Sequence, residues 1–388
     1  MVRVSGERGA RSATERPIRV CIVAPSLDIL GGQAVQALRL LQHLESLPEL
    51  QVALLPVNPR LPGPLRRLQK IKYVRTIVTS VAYIGSLLRN VRRYDVLHVF
   101  SASYLSFLLA PLPAMLVGKM FGKRVLLNYR SGAAEDHLTR WRRTAVPAMR
   151  IADEIIVPTP YLVRVFAQFG LAARTIPNFV KIEKLPHRVR RPLRPVFLVN
   201  RNFEPLYNVD GAIRAFHLIQ QEFPHATLMV AGFGPERANL ERLVRDLEVH
   251  NVTFAGRVEP DAMAALYDAA DVYIHASLVD AMPGSIVDAF ATGLPVVTSD
   301  SGGIPDLVRD GVTGVVVRCG DYEALALGAI GLLRAPESAH RMAARARAEC
   351  EERYVWQAVA GEWIEVYGGG RVEREPRAGI HATAAVAQ

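Results

Sequence analysis

Short apolar runs alternate with amphipathic stretches along the first half of the chain. The runs carry Val, Ile and Leu at consecutive positions, which is typical of parallel strands buried on both faces. Amphipathic spacing between them, as in Ala34–Leu44, predicts intervening helices. The predicted strands are Arg19–Leu27, Gln51–Val57, Asp95–Ser101, Arg124–Asn128 and Glu154–Pro158.

The second half repeats this alternation. Predicted strands are Val196–Asn200, Thr227–Ala231, Val252–Ala255, Val272–His275 and Val296–Thr298, and predicted helices are Val209–Glu222, Glu236–Leu247, Asp261–Ala269 and Ser285–Ala291. Strands that alternate with helices form parallel sheets with right-handed crossovers. The sequence therefore predicts an α/β protein with two doubly wound, Rossmann-like domains. Ligands of such sheets bind beyond the carboxyl ends of the strands, so the cleft between the domains is the expected site.

Composition changes along the chain predict the domain boundaries. A first domain is expected over 17–180 and a second over 195–350, joined by a proline-rich, basic linker at 181–194. An aromatic helix is expected over 351–367. Residues 1–16 and 368–388 are polar or Ala-rich and are predicted to be disordered tails.

The overall composition is that of an ordinary globular protein. Half of the 388 residues are apolar and 22% are charged. The three cysteines (Cys21, Cys319 and Cys350) lack metal-ligand spacing, which argues against a structural zinc site and favours a reducing cytosol. No secretory signal precedes the first strand, and no apolar run reaches the roughly 20 residues that a membrane span needs. The sequence predicts a soluble or peripheral protein.

Charge is distributed unevenly between the two halves. Residues 1–190 contain 29 basic and 11 acidic side chains, whereas the remainder contains 18 basic and 26 acidic ones. The first half therefore favours an anionic partner, such as nucleic acid or an anionic membrane, although a generic arginine-rich surface fits as well. No nucleic-acid-recognition motif accompanies the charge, so we expect no nucleic-acid partner.

The segment Leu65–Arg93 concentrates this charge. Its apolar run, Ile77–Leu88, is too short to span a bilayer and predicts an element that docks on a membrane interface. An ordinary crossover helix with its apolar side in the core explains the same pattern. The basic residues of the segment are Arg66, Arg67, Lys70, Lys72, Arg75, Arg89, Arg92 and Arg93.

Glycine-rich or charged loops follow several predicted strands. Gly31 and Gly32 follow the first strand, Arg201 follows Val196–Asn200, and Gly232 and Gly234 follow the next strand. Each glycine lets a backbone approach a ligand closely, and a helix N-terminus beyond it offers free N–H groups to an anion. Each loop alone is also explained by a tight turn, but their repetition at successive strand ends favours a ligand site.

The segment from Asp280 to Asp288 is the strongest of these loops. Pro283 and Gly284 open a helix, so the amides from Gly284 to Ile286 should form a phosphate-sized anion site. Two carboxylates beside such a site would repel phosphate unless they contact something else, and sugar hydroxyls are suitable partners. A helix-capping role for Asp280 and a surface position for Asp288 are the plain alternatives.

These motifs resemble family 4 of the retaining glycosyltransferases, which have the GT-B fold. The resemblance covers about residues 17–367 and rests on GGQAVQALRLLQHL, ADEIIVPTPYLVRVFAQFG, RNFEPLYNVDGAIRAF, VAGFGPE and ADVYIHASLVDAMPGSIVDAFATGLPVVTSDSGGIPDLV. It implies that Asp280 faces the donor sugar, Asp288 holds the ribose hydroxyls and Arg201 contacts the diphosphate. It also implies that the C-terminal helix crosses back to the first domain. The implied donor-binding residues are Gly31, Gly32, Arg201, Asn208, Gly232, Gly234, Arg257, Val258, Met282, Gly284, Ser285, Ile286 and Asp288.

Three departures from the family pattern concern the chemistry. Both members of the acidic pair, usually glutamates, are aspartates here, one methylene shorter. Tyr207-Asn208 stands where the family has a second diphosphate-binding cation, a lysine. Arg130 stands where many members have a catalytic-site histidine, and His137 follows about two helical turns later. The expected catalytic residues are therefore Asp280, Arg201 and Arg130.

The activity implied by the resemblance is transfer of a sugar from a nucleotide diphosphate sugar with retention at the anomeric carbon. The resemblance implies no metal and no cofactor. The acceptor is expected to be a sugar or a lipid-linked or membrane-bound glycan, at a cytoplasmic site or on the inner face of the cytoplasmic membrane, because the basic and partly apolar segment Leu65–Arg93 suits docking on an anionic membrane. Two alternatives stay open at this point. One is another GT-B enzyme, a sugar-nucleotide epimerase or a phosphorylase-like enzyme; the other is a catalytically silent sugar-nucleotide-binding module.

Overall fold

A computed structural model describes residues 16–26, 28, 31–61, 63, 71, 74–101 and 103–368. The predicted tails lie outside the described residues, apart from residues 16 and 368 at their inner ends. Four basic residues of the predicted docking segment, Arg66, Arg67, Lys70 and Lys72, also lie outside them.

The first domain is built on a six-stranded parallel sheet with the order β2-β1-β3-β4-β5-β6. Its central strands are runs of Val, Ile and Leu that are buried on both faces, as the sequence predicts. The two-residue edge strand β6 was not predicted from the sequence. The strands are β1 Ile18–Ala24, β2 Leu50–Pro56, β3 Val96–Ser101, β4 Arg124–Tyr129, β5 Glu154–Val157 and β6 Arg174–Thr175. The helices are α1 Gly32–Leu44, α2 Val74–Asn90, α3 Leu105–Leu109, α4 Pro111–Met120, α5 Ala134–Arg140, α6 Arg142–Met149 and α7 Pro160–Gln168.

The second domain repeats the architecture with the sheet order β12-β11-β10-β7-β8-β9, again all parallel. The prediction of two doubly wound domains is thus confirmed. The strands are β7 Val196–Asn200, β8 Thr227–Ala231, β9 Val252–Gly256, β10 Val272–His275, β11 Val296–Ser299 and β12 Val315–Val317. The helices are α8 Val209–Glu222, α9 Arg237–Asp246, α10 Met263–Ala269, α11 Gly284–Thr292, α12 Tyr322–Arg334, α13 Pro336–Arg353 and α14 Trp356–Gly368.

The segment predicted as a linker, 181–194, packs on the second domain. The guanidinium of Arg190 is buried and donates to the carbonyl oxygens of Thr292 (2.6 Å), Ala270 (2.9 Å) and Tyr267 (3.0 Å). These contacts satisfy a buried cation with backbone dipoles and attach the segment to that domain. The segment is therefore part of the second domain rather than a free tether.

The C-terminal helix α14 lies against the first domain. Its buried side chains, Val359, Trp363, Val366 and Tyr367, join a hydrophobic cluster with residues of β1. Where the chain crosses between domains, the amide of Val180 donates to the carbonyl of Tyr354 (2.8 Å), so the two crossings run side by side. Helix α14 thus contributes to the core beneath the first sheet.

Candidate active site

A cavity of about 370 Å³ lies between the two domains. Loops at the carboxyl ends of β1 and β4 form one wall, and loops after β7, β8 and β10 form the other. The position agrees with the rule that ligands of doubly wound sheets bind beyond the carboxyl ends of the strands. The predicted residues that line it are Gly31, Gly32, Arg130, Arg201, Gly232, Val258, Asp280, Met282, Gly284, Ser285 and Asp288.

Four residues of the expected donor-binding set do not line this cavity. The side chain of Asn208 donates to the carbonyl of Ala276 (3.1 Å) at the start of α8, and Arg257 points toward Glu259 (2.9 Å). Gly234 has a φ of +154°, and an added Cβ would lie 2.4 Å from the carbonyl oxygen of Phe203. Ile286 is buried in the core of the second domain. In this structure these four residues support the loops instead of lining the cavity.

The N-terminus of helix α11 faces the cavity. Pro283 precedes the helix with a φ of −66°, and the amide of Ile286 donates back to the Pro283 carbonyl (3.1 Å). The amides of Gly284 and Ser285 have no acceptor among the described residues. Two of the three predicted amides are therefore available to an anion, where the helix dipole adds favourable electrostatic energy.

Arg201 and Asp280 form a largely buried ion pair in the cavity wall. Nη2 of Arg201 lies 2.6 Å from Oδ2 of Asp280, and Oδ1 of Asp280 accepts the amide of Ala281 (2.9 Å). Burial raises the pKa of Asp280, but Arg201 and the nearby His275 lower it by more, so the carboxyl is ionised at neutral pH. The arginine is therefore charge-compensated before any ligand binds.

Tyr207 occupies the position of the missing family lysine and stacks on Arg201. The guanidinium carbon lies 3.9 Å from the centroid of the tyrosine ring. A cation over an aromatic face is stabilised by the quadrupole of the ring and is held in orientation. The family's second positive charge is thus replaced by an aromatic ring that holds the guanidinium of Arg201 in its orientation.

Asp288 pairs with Arg39 of helix α1 across the cleft. Nη2 of Arg39 lies 3.3 Å from Oδ1 of Asp288. Burial raises the pKa of Asp288, and Arg39 offsets only part of that shift. Arg39 was not predicted as a site residue. Helical spacing places Gly32, Gln36 and Arg39 on one face of α1, and this spacing is the feature of the sequence that could have indicated it.

Several buried polar atoms in the cavity wall lack a partner. They are Nη1 of Arg130, Nε of Arg201, Oδ1 of Asn178 and Oγ of Ser285, for which the described residues supply no hydrogen bond. Buried polar atoms in folded proteins are nearly always hydrogen-bonded, so four in one cavity indicate a site that a polar ligand completes. Among the residues that the structure describes, no cluster of three acidic, histidine or cysteine side chains could hold a metal ion.

Gly132 brings the two domains into close contact beside Asp280. A Cβ added to Gly132 would lie 2.6 Å from the backbone carbon of Asp280, and backbone atoms cannot rotate away. We expect Gly132→Ala to hold the domains apart and to lower turnover about a hundredfold, the cost of a misplacement near 1 Å. Small-angle X-ray scattering should show a larger radius of gyration.

Gly32→Ala is the control for this experiment. It lies in the same cleft, and nothing lies within 4 Å of its added Cβ, so the closed shape should persist. An unchanged radius of gyration and turnover in Gly132→Ala would contradict the assignment of Gly132 to domain closure.

Two family models match adjacent parts of the chain. The model described as Glycosyltransferase Family 4 matches residues 30–184. The model described as Glycosyl transferases group 1 matches residues 182–349. Together they span both domains and every predicted site residue.

Curated relatives and solved structures agree with these matches. A phosphatidyl-myo-inositol mannosyltransferase of Mycobacterium leprae is 26% identical over 378 residues, covering 90% of this chain and 96% of that protein. A sucrose-phosphate synthase from Thermosynechococcus elongatus superposes with a TM-score of 0.75 at 19% identity, covering 90% of this chain and 98% of that one. Anabaena HepE in complex with UDP-glucose superposes with a TM-score of 0.72 at 18% identity, covering 90% and 99%.

Proposed function

The chain is a glycosyltransferase of family 4 with the GT-B fold, and from this premise we propose that it moves a sugar from a nucleotide diphosphate sugar to a membrane-bound acceptor with retention at the anomeric carbon. One observation carries the proposal: the free amides of Gly284 and Ser285 and the largely buried side chain of Arg201 line one interdomain cavity. This arrangement suits an anion of diphosphate size.

The main task of the protein is to stabilise the charge that grows on the departing diphosphate. Helix dipoles and fixed N–H donors in a closed site stabilise such charge without reorganising during the reaction. Arg201 and the amides at the start of α11 supply these donors. Fixed dipoles and one guanidinium take the place of a divalent metal in this proposal.

No strong side-chain base is required. Asp280 is already paired with Arg201, which lowers its pKa and makes it a poor proton acceptor. In the proposed step the bond between the anomeric carbon and the diphosphate oxygen breaks, and the acceptor oxygen bonds to that carbon on the same face. The acceptor proton moves to the departing phosphate oxygen, and Asp280 faces the positive charge that develops on the sugar ring.

A screen of nucleotide sugars tests the activity. The purified protein is incubated with UDP- and GDP-sugars, with and without membrane lipid extract, and release of nucleoside diphosphate is measured. We expect release that depends on the extract, and NMR of the product should show retained anomeric configuration. Binding without release would identify a silent module, isomerisation of the sugar without transfer an epimerase, and release that needs only inorganic phosphate a phosphorylase-like enzyme.

Helix α2 supports a membrane-bound acceptor. Its residues Ile77, Val81, Ile84 and Leu88 recur at helical spacing and are exposed, Ile77 and Val81 by 66% and 67%. A neighbouring face of the helix, with Tyr83 and Leu87, is buried in the core. Helix α2 is therefore an ordinary crossover helix that also presents an exposed apolar stripe. The sequence offered a crossover helix and a membrane-docking element as alternatives, and the structure has features of both.

Basic residues lie at the C-terminal end of this stripe. Arg89, Arg92 and Arg93 are exposed, and each basic side chain near an anionic leaflet contributes about 1 kcal/mol. No helix among the described residues is long and apolar enough to cross a bilayer. The mycobacterial relative named for phosphatidyl-myo-inositol is a further reason to propose a lipid-linked acceptor.

Vesicle sedimentation tests the docking stripe. We expect the protein to bind vesicles that contain phosphatidylglycerol more strongly than neutral vesicles, and added salt to weaken this binding. Ile77→Asp with Val81→Asp should lower binding at least tenfold, because each apolar side chain contributes about 1.5–3 kcal/mol when buried. The matched control is Leu327→Asp, which changes an equally exposed side chain on α12 of the second domain. Equal binding to both vesicle types would rule out the stripe as a docking surface.

A further inference from the structure

Arg130 differs from the other cleft arginines in having no carboxylate partner. Arg39 pairs with Asp288 and Arg201 pairs with Asp280, but no described carboxylate lies within 4 Å of the Arg130 guanidinium. Its Nη1 is buried without a hydrogen-bond partner. Burial lowers the pKa of Arg130 to about 10, so the side chain is still charged at neutral pH. A largely buried cation without a counter-ion is costly, and a bound anion removes that cost.

A chain of buried hydrogen bonds fixes the orientation of Arg130. Its Nε donates to Oδ1 of Asn128 (2.9 Å), and Asn128 Nδ2 lies 2.8 Å from Nε2 of His98. Nδ1 of His98 lies 2.7 Å from the hydroxyl of Tyr367 on helix α14. Asn128, His98 and Tyr367 are all buried.

Arg130 determines which groups donate and which accept in this series of hydrogen bonds. A guanidinium can only donate, so the oxygen of Asn128 faces Arg130 and its amide nitrogen donates to Nε2 of His98. His98 therefore carries its proton on Nδ1 and donates it to Tyr367. Burial, with the charge of Arg130, lowers the pKa of His98 to about 3, so the ring is neutral and Nε2 accepts. Each member has one compatible orientation.

We propose that Tyr367, His98 and Asn128 are positioning residues that hold Arg130 to bind a phosphate group in the interdomain cavity. The proposal rests on the proposed function, which supplies this phosphate as the diphosphate of the donor. Arg130 shares the cavity with Arg201 and with the free amides of α11, which makes the donor the favoured source. A phosphate on the acceptor is the other source of the same chemistry.

Asn128→Asp separates this role from a structural one. One oxygen of the aspartate still accepts from Arg130, and the other accepts from His98 once the neutral ring carries its proton on Nε2, with the Tyr367 hydroxyl donating to Nδ1. The carboxylate forms an ion pair that cancels the charge of Arg130, so folding should be retained while the anion site is lost. Calorimetric titration with inorganic pyrophosphate measures the affinity of the phosphate site alone, because this probe carries no nucleotide base. We expect Asn128→Asp and Arg130→Gln each to weaken pyrophosphate binding at least tenfold, with melting temperatures near that of the unaltered protein.

Tyr367→Phe tests the far end of the chain. Removing the hydroxyl leaves Nδ1–H of His98 unpartnered and favours the other tautomer, which would place two donors face to face at Asn128. We expect a threefold or larger loss of pyrophosphate affinity in the unaltered background and no further loss in the Arg130→Gln background. Val366→Ala, a buried neighbour on α14 outside the chain, should lower stability and leave affinity unchanged.

The outcomes show whether the phosphate comes from the donor or from the acceptor. They also separate a failure of the phosphate site from a failure of the proposed transferase function. If glycerol 3-phosphate binding is weakened by these variants but pyrophosphate binding is not, the phosphate belongs to the acceptor, and the donor assignment is overturned. If both probes bind all variants as they bind the unaltered protein, the positioning role is overturned. If pyrophosphate binding behaves as expected but no nucleotide sugar is turned over, the proposed function fails and the phosphate site remains.

Discussion

Arg201→Ala should lower kcat/KM about a thousandfold, because removal of one preorganised donor to a developing anion costs 10²–10³ in rate. Arg201 also compensates Asp280 and stacks on Tyr207, so both groups lose their partner in this variant. The loss should appear in turnover and, more weakly, in nucleoside diphosphate binding. The release assay with the preferred nucleotide sugar measures the first and calorimetry the second.

Arg257→Ala is the matched control for Arg201→Ala. The resemblance assigned Arg257 to the nucleotide, but its side chain lies beside Glu259 and outside the cavity lining. We expect less than a threefold change in kcat/KM. Equal losses in both variants would point to a general effect of positive charge, and an unaffected Arg201→Ala would remove Arg201 from the mechanism.

Asp280→Asn should separate binding from chemistry. The amide is isosteric and still fills the space beside Arg201, but it carries no negative charge toward the sugar. We expect kcat to fall at least about a hundredfold, through lost electrostatic stabilisation of the transition state. Nucleoside diphosphate affinity should be retained or increased, because Arg201 is no longer compensated by a carboxylate.

The control for Asp280→Asn is Asp261→Asn, an exposed carboxylate that pairs with Lys184 near the mouth of the cleft. It should change kcat and nucleoside diphosphate affinity by no more than about twofold, since exposed ion pairs contribute little free energy. Unchanged turnover in Asp280→Asn would refute the role assigned to Asp280. A large loss of nucleotide affinity would show instead that Asp280 acts by positioning Arg201.

Consecutive apolar residues were enough to predict most of the fold. The strands Val196–Asn200, Thr227–Ala231 and Val272–His275 have the bounds that the sequence predicts. The edge strands β6 and β12 were missed, because they have only two and three residues and none of these residues is fully buried. The sequence did not predict that the linker segment packs on the second domain, because its basic residues donate to carbonyls there, and pairing of that kind leaves no periodic pattern in the sequence.

Site residues in the loops that follow predicted strands were easier to predict than those brought in from another element. Gly284, Ser285 and Arg201 follow predicted strands and line the cavity. Asn208 and Arg257 also follow strands, but their side chains contact nearby loop atoms and not the cavity. The position of a residue at a strand end therefore predicts proximity to the site, whereas the direction of its side chain depends on local packing.

The sequence by itself determined the two parallel sheets, the cleft at their carboxyl ends and the helix N-terminus that faces it, because these follow from local patterns of apolar residues, glycine and proline. Only the tertiary structure decided which charges cancel. Arg39 reaches Asp288 from another domain, Arg201 meets Asp280, and Arg130 is left without a carboxylate. Such pairings depend on distances of a few ångströms between elements far apart in the chain, and spacing along a sequence does not encode those distances directly.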